Sequence, residues 1–322
     1  MQNTTPTELP SALRVVEPRI RAALELEDRG DLAGAFDAFT ALINDIPQCG
    51  LAWRHLGNLY RLSGNLGHAG ECFQRAIATG DDCLLNSFFL SAIGVGPVVD
   101  APPRQFVSRL FDQYARTFDA HLISELHYTG PAVLRDLVAR HNGGRRGRAL
   151  DVGRGTGLVG EAVLPLVETI DGVDLSARML DVAAARGIYS TLTHAALDDF
   201  LQRATRPYDL ILACDVFIYL GDLRLTFQGI RRALKNEGLF AFTVEQCDAA
   251  NGFQLLPNLR YAHSAEYITR LATECAFEIL EVADAPIRQQ DGTPVHAAVL
   301  LLRAISSRSQ GICGAVRRSQ TS

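Results

Sequence analysis

No apolar run in the 322-residue sequence approaches the roughly 20 residues that a membrane-spanning helix needs. Met1 to Pro10 is polar and lacks the apolar core of a secretory leader. No membrane partner is therefore expected, and the chain is read as cytoplasmic. Paired cysteines are missing as well. The seven present, Cys49, Cys72, Cys83, Cys214, Cys247, Cys275 and Cys313, are odd in number and scattered, with no Cys-x-x-Cys or His-rich spacing. They read as buried free thiols and imply no metal. Nor is there surplus positive charge: 31 Lys and Arg against 36 Asp and Glu leave −5, which offers nucleic acid no global attraction. The one basic cluster, Arg140, Arg145, Arg146 and Arg148, is interrupted by Asn142, Gly143 and Gly144 and reads as a solvated loop. What remains is globular material, 48% hydrophobic and 21% charged, of a length suited to two domains.

From about Val16 to Thr79 the chain repeats with a step of 34, pairing Gly30 with Gly64, Ala35 with Ala69, Phe39 with Phe73 and Leu42 with Ala76. The second unit has Trp53, Leu56, Gly57 and Tyr60 on its first helix and Ala69, Phe73 and Ala76 on its second, while Pro47 closes the first unit. This resembles the tetratricopeptide family. Leu84 to Ile93 lacks the signature spacing and reads as a capping helix. So short an array serves either to pack on the rest of the chain or to recognise a protein, peptide or carrier partner. The expected organisation is a flexible start over 1–15, helical repeats over 16–94, a Gly- and Pro-rich linker over 95–105, an α/β domain over 106–305 and a flexible tail over 306–322.

Beyond the linker, Phe106, Leu110, Phe111, Tyr114, Phe118 and Leu122 recur at helical spacing and read as core. Strands then alternate with helices. They are centred on Ala149–Val152, Thr169–Val173, Ser190–Ala195, Asp209–Cys214 and Leu239–Val244, and a closing pair, Phe277–Val282 and Val295–Leu302, is joined through Asp291-Gly292. This order argues for a doubly wound parallel sheet. Asn236-Glu237-Gly238 reads as a helix end with a glycine C-cap.

The first strand runs into Gly153, Gly155 and Gly157, a turn that lets backbone approach a ligand closely. Asp174 ends the second strand 21 residues after Gly153, where a carboxylate can accept both hydroxyls of a ribose. A dinucleotide loop wants its third glycine one place later, at Leu158, so the pattern favours an adenosyl ligand without a pyrophosphate.

Leu150-Asp151-Val152-Gly153-x-Gly155-Thr156-Gly157, Gly172-Val173-Asp174-Leu175-Ser176 with Met179, and Asp209-Leu210-Ile211 with Cys214-Asp215 resemble class I S-adenosylmethionine-dependent methyltransferases. Three further stretches, Leu110-Phe111-Asp112-x-Tyr114-Ala115-x-x-Phe118-Asp119-x-His121-Leu122, Asp215-Val216-x-x-Tyr219-Leu220-Gly221-Asp222-Leu223 and Tyr261-Ala262-His263-Ser264, are similar to predicted bacterial methyltransferases with N-terminal tetratricopeptide repeats. The resemblance implies a seven-stranded Rossmann-like sheet with an antiparallel last hairpin, S-adenosyl-L-methionine as cofactor and S-adenosyl-L-homocysteine as product. It implies cofactor contacts by Asp151, Gly153, Arg154, Gly155, Gly157, Asp174, Leu175, Met179, Ala196, Leu197 and Asp215. Tyr114 and Phe118 are candidates for a lid, with packing as the alternative.

Two positions depart from the family. Arg154 stands where a small residue is usual, either to pair with the cofactor carboxylate or to crowd its pocket. Ala196 stands where an acid usually meets the adenine amine, with Asp198 or Asp199 as substitutes. For the acceptor side, His263 and Tyr219 are the candidate bases, Glu245 a weaker one, and Tyr114, Phe217, Tyr219, Tyr261 and His263 the candidate substrate contacts. The expected activity is methyl transfer by in-line displacement to a small molecule, or to an acyl group or peptide presented by a partner of the repeats. The alternatives are a non-catalytic cofactor-fold scaffold and, against Leu158, a nicotinamide enzyme.

Overall fold

The computed structural model describes residues 11–141, 143–205, 207–249, 252–290 and 292–306. It divides into two compact units, one reaching to Val99 and including Leu256–Leu259, the other Asp100–Leu255 with the chain from Arg260 onward. The proposed flexible start and tail fall largely outside the described residues, although helix is already present from Ser11.

The first unit is helical throughout: α1 (Ser11–Asp28), α2 (Leu32–Asp45), α3 (Gly50–Leu62), α4 (Leu66–Ala78) and α5 (Cys83–Ala92). Each helix packs on the next in sequence. The 34-residue step is reproduced in three dimensions. Gly30 and Gly64 take φ of +77° and +79°, and the caps that follow, Asp31 and Asn65, accept from Gly34 and His68 amides. Ala35 and Ala69, Phe39 and Phe73, and Leu42 and Ala76 are all fully buried. A Cβ on Gly57 would stand 2.7 Å from the Phe73 ring, so the close crossing of α3 and α4 depends on the glycine.

The second unit opens with α6 (Arg104–Tyr114), α7 (Phe118–Ala120), a π-helical turn at His121–Glu125 and α8 (Gly130–Arg140). Then follow β1 (Arg146–Val152), α9 (Leu158–Val163), β2 (Val167–Asp174), α10 (Ala177–Ala184), β3 (Thr191–His194), α11 (Leu197–Arg203), β4 (Tyr208–Ala213), α12 (Arg224–Ala233) and β5 (Leu234–Gln246). The chain closes with β6 (Phe253–Leu255), β7 (Tyr261–His263), α13 (Ala265–Glu274), β8 (Phe277–Gln290) and β9 (Thr293–Ala304). Strands β3, β2, β1, β4 and β5 are parallel neighbours in that order; β9 is antiparallel to β5, and β8 to β9. Ala149 of β1 faces Ile170 on one side and Leu210 on the other, so β1 is the switch point of the sheet. Leu150 and Val152 join a core with Phe227, Ile230, Phe240 and Leu271, while Ala149 joins a second with Leu134, Val138, Val163 and Leu301. This two-sided burial explains why the parallel strands read as continuous apolar runs. Among the described residues no helix is long and apolar enough to cross a membrane, and no group of three or more His, Cys, Asp or Glu is placed to hold a metal.

The sheet departs from the seven-strand expectation by β6 and β7, three residues each, which extend it beyond the end of β5. Elements that short carry no readable alternation. The helix ending before β5 stops at Ala233, and the left-handed residue is Glu237 (φ +62°), not Gly238. Gly238 answers to crowding instead, since a Cβ there would lie 2.9 Å from the Lys235 carbonyl. The basic loop is solvent-exposed at Arg140, Gly143, Gly144 and Arg145, and its arginines are anchored as well: Arg140 pairs with Glu281 at 2.6 Å, Arg145 donates to the Val167 carbonyl at 2.6 Å, and Arg148 pairs with Asp171 at 2.5 Å. Of the apolar stripe from Phe106 to Leu122 only Leu122 is buried. No residue of α6 is buried, and Leu110, Phe111, Tyr114, Phe118 and Leu122 instead form one wall of a cavity.

Candidate active site

The cavity, of about 820 Å³, opens at the C-terminal ends of β1, β2 and β4. Its floor is the turn after β1. Gly153, Gly155 and Gly157 have φ of +55°, +56° and +98°, and a Cβ on Gly153 would meet Val216 at 2.7 Å. Asp174, at the end of β2, is 8% exposed. One of its oxygens accepts from the Gly155 amide and the other from the Ser176 amide, both at 2.8 Å, which ties strand end and turn together. Burial raises its pKa and those two backbone donors pull it back.

Beneath the turn lies a buried polar cluster. Asp151 is fully buried and accepts from the Tyr189 hydroxyl at 2.7 Å, with burial pushing its carboxyl up to about 7. Arg154, 4% exposed, crosses the face of Gly172, where an added Cβ would overlap its Cδ. Its Nη1 donates to the Gly155 carbonyl at 3.0 Å, and its guanidinium carbon sits 5.1 Å from the Tyr189 ring centroid. Its Nε and Nη2 are buried without a partner among the described residues. Arg154 also lines the cavity. The side chain can lie against β2 because position 172 has no side chain to exclude it.

Further residues hold the turn from outside. Arg186 donates to the Thr156 carbonyl at 2.7 Å and pairs with Asp119 at 2.5 Å and with Glu161. Asp119 in turn accepts from the Thr156 hydroxyl. Asp112 of α6 accepts from the Ser176 hydroxyl at 2.6 Å, which holds its carboxyl below its ordinary pKa. Asp112 and Asp119 belong to a quoted motif without a role attached, and Arg186 carried no signal. A salt bridge between segments 67 residues apart is invisible until the chain folds.

The cavity brings together Gly153, Arg154, Gly155, Asp174, Leu175, Ala196, Leu197, Asp215, Tyr114 and Tyr219. Asp198 also lines it, accepting from Thr226 at 3.0 Å, whereas Asp199 pairs with Arg104 at 2.7 Å away from its wall. Other sequence candidates lie elsewhere. Gly157 and Asp151 are behind the lining, Met179 is fully buried beneath its Ser176 cap, and Phe217 packs among Phe227, Phe240 and Phe242. Tyr261 and His263 are a correction. Both are buried on β7, outside the lining, and His263 donates to the Gly221 carbonyl at 3.0 Å while stacking on Tyr267. Desolvation lowers the His263 pKa to about 4, so the ring is a neutral core group.

At the other end of the cavity, Tyr219 sits on a 3₁₀ turn with its ring edge-on to Phe111, and burial raises its hydroxyl pKa. Tyr114 shares a hydrogen bond with His121, which also lines the cavity, and burial pushes the Tyr114 hydroxyl up to about 12. Asp215 stands at φ +55° with its amide donating to Thr243 Oγ1 at 2.8 Å. Its carboxylate and Glu245 are bridged by Arg288, and Arg260 pairs with Glu245 at 3.3 Å. None of these arginines was singled out from the sequence, because they stand on strand and loop segments far from the glycine turn.

Residues 150–240 match a family model described as a methyltransferase domain. Among curated proteins, the chain is similar to the ubiquinone biosynthesis O-methyltransferase of Actinobacillus pleuropneumoniae serotype 7, with 27% identity over 126 residues, 37% of this chain and 54% of that protein. It is likewise similar to the protein of the same name from Xanthomonas oryzae pv. oryzae, with 27% identity over 151 residues, 45% of this chain and 60% of that protein. The chain thus spans between half and two thirds of the length of these relatives. Among solved structures, the [4+2]-cyclase SpnF superposes with a TM-score of 0.53 at 18% identity, over 64% of this chain and 98% of that one. At that identity the likeness shows the fold.

Proposed function

We propose that this chain, whose second unit carries a methyltransferase domain on a class I Rossmann-like fold, transfers a methyl group from S-adenosyl-L-methionine to a small molecule, releasing S-adenosyl-L-homocysteine. One observation carries the reading: the Gly153–Gly157 turn and Asp174 are hydrogen-bonded to each other on a single wall of an 820 Å³ cavity. The residues fit the cofactor. Each Asp174 oxygen uses one lone pair on a backbone amide and keeps another for a ribose hydroxyl. Gly153 and Gly155 leave the floor open to the methionine part, and Leu175 and Leu197 offer apolar contact to a base. When bound, the cofactor supplies an electrophilic methyl on a sulfonium. The protein's share is to exclude water with the Phe111, Tyr114 and Phe118 wall and to hold the acceptor in line near Tyr219 and Asp215.

The reading is supported by the family match over residues 150–240. The helical unit is proposed as a short tetratricopeptide array, on the strength of the matched glycines, caps and buried aromatics 34 residues apart, and as a surface for a partner that presents substrate. The decisive experiment is calorimetric titration of the whole chain with S-adenosyl-L-homocysteine. Micromolar binding is expected, weakened roughly 10- to 100-fold in Asp174→Ala, the loss of hydrogen bonds to a charged group. No binding by the native chain overturns the proposal.

A further inference from the structure

The end of the cavity that holds Asp215 carries a network of four charges. Arg288 is 4% exposed and bonds Asp215 at 3.0 Å through one nitrogen and Glu245 through another. Its Nε is buried with no partner among the described residues. Arg260 reaches the same Glu245 oxygen at 3.3 Å. The four charges cancel as a network, but they do not face the cavity equally. Arg260, Arg288 and Asp215 line it, and Glu245 does not. The wall therefore presents two guanidinium groups and one carboxylate.

The placement is structural rather than incidental. Strand β8 carries a bulge between Pro286 and Arg288, with Pro286 opposite His296 and Arg288 opposite Val295. The extra residue, Ile287, is buried in the core. Bulges of this kind re-aim the side chain that follows. Of the other arginines of the lining, Arg104 pairs with Asp199 at 2.7 Å and Arg154 is 4% exposed beside the glycine turn. The rest of this end is apolar and aromatic, including Phe111, Leu122, Leu126 and Ile218.

We propose that the methyl acceptor is a small carboxylic acid, its carboxylate held by Arg260 and Arg288 and its apolar body against the aromatic wall. A planar carboxylate matches the forked donors of a guanidinium. Guanidinium donors occupy the oxygen lone pairs, so the carboxylate is the anchor and the methylated atom lies elsewhere on the molecule. This inference rests on the transferase reading given above.

The test uses matched acid and amide pairs as probes: benzoate with benzamide, phenylacetate with phenylacetamide, and octanoate with octanamide. They are titrated into the whole chain saturated with S-adenosyl-L-homocysteine. At least one acid should bind roughly tenfold or more tighter than its amide. In Arg260→Gln the two should become equal within about twofold while affinity for S-adenosyl-L-homocysteine is retained, which also reports that the variant is folded. Glu245→Gln, which removes a negative charge from the network, should tighten the acid. The inference fails if no acid outbinds its amide, if the preference survives Arg260→Gln, or if Glu245→Gln weakens it. The same titrations run without S-adenosyl-L-homocysteine separate the two readings. Acid binding by a chain that never binds S-adenosyl-L-homocysteine keeps the anion site and sinks the transferase. The converse sinks only the anion site.

Discussion

Arg154 occupies the most diagnostic turn of the chain, and its conformation can be tested by adding one methyl group to its neighbour. Gly172 lies in the middle of the buried half of β2, where Arg154 crosses it. A Cβ at Gly172 would overlap Arg154 Cδ, stand 2.8 Å from its Nε and 3.1 Å from Tyr189 Cε1. An exposed arginine would swing aside at little cost. This one is 4% exposed and pressed against the Tyr189 ring, so the methyl must displace packed atoms. Overpacking of this kind costs about 1–3 kcal/mol, which for a domain of 150–250 residues lowers Tm by roughly 2–12 °C. In an Arg154→Ala background the overlap is gone and only the 3.1 Å approach of Tyr189 remains. The alanine at 172 should then cost less than about 1 kcal/mol, leaving a coupling of about 1–2 kcal/mol in the double-mutant cycle. Thermal unfolding of the four proteins, followed by a β-sheet signal of the second unit, measures it. Equal costs in both backgrounds would refute the packing of Arg154 against Gly172.

Three other outcomes are expected. Burial lowers the His263 pKa from the usual 6.5 to about 4, so the folded chain binds fewer protons than the unfolded one in that window and stability falls as pH drops through it, by at most ~3 kcal/mol. His263→Gln keeps a donor for the Gly221 carbonyl but cannot titrate, so its Tm should depend less steeply on pH between 6.5 and 4; identical slopes contradict a buried neutral ring. Arg288→Met strands Asp215 and Glu245 near each other and should cost about 3–5 kcal/mol in urea unfolding, with more than half recovered when Glu245→Gln is added. Phe73→Ala empties a fully buried site where α4 meets Gly57 of α3 and Phe89 of α5 and should cost the helical unit about 3–5 kcal/mol by far-ultraviolet melting, a figure Phe39→Ala should match if the two positions are equivalent.

Legibility followed the range of the interactions. The turn and Asp174 could be found from spacing because strand, loop and helix are consecutive, and parallel pairing of β1 with β2 places Val152 beside Val173, next to Asp174. Tyr219 could be found because it follows β4 on the same sheet edge. His263 misled for the opposite reason. Its local sequence is compatible with a loop facing ligand, and only the pairing of β7 with Gln246 at the end of β5 turns it onto Tyr267 with Phe253 alongside. The α6 stripe misled because helical periodicity reports an apolar face without saying what covers it, and here the face borders a cavity.

By itself the sequence determined what short-range chemistry controls. That covers the two-sided apolar strands that make a parallel sheet, the left-handed turn that only glycine tolerates, the acid one strand away from it, and a helical repeat whose step of 34 recurs in φ angles and buried rings. Tertiary structure alone decided where the charges went. Arg186 reaching Thr156 and Asp119, Arg154 lying against Gly172, and Arg288 joining Asp215 to Glu245 across 73 and 43 residues are contacts between segments that meet only after the sheet has formed. A long flexible guanidinium carries no periodic signal, and its partner is whichever carboxylate the fold leaves buried within reach.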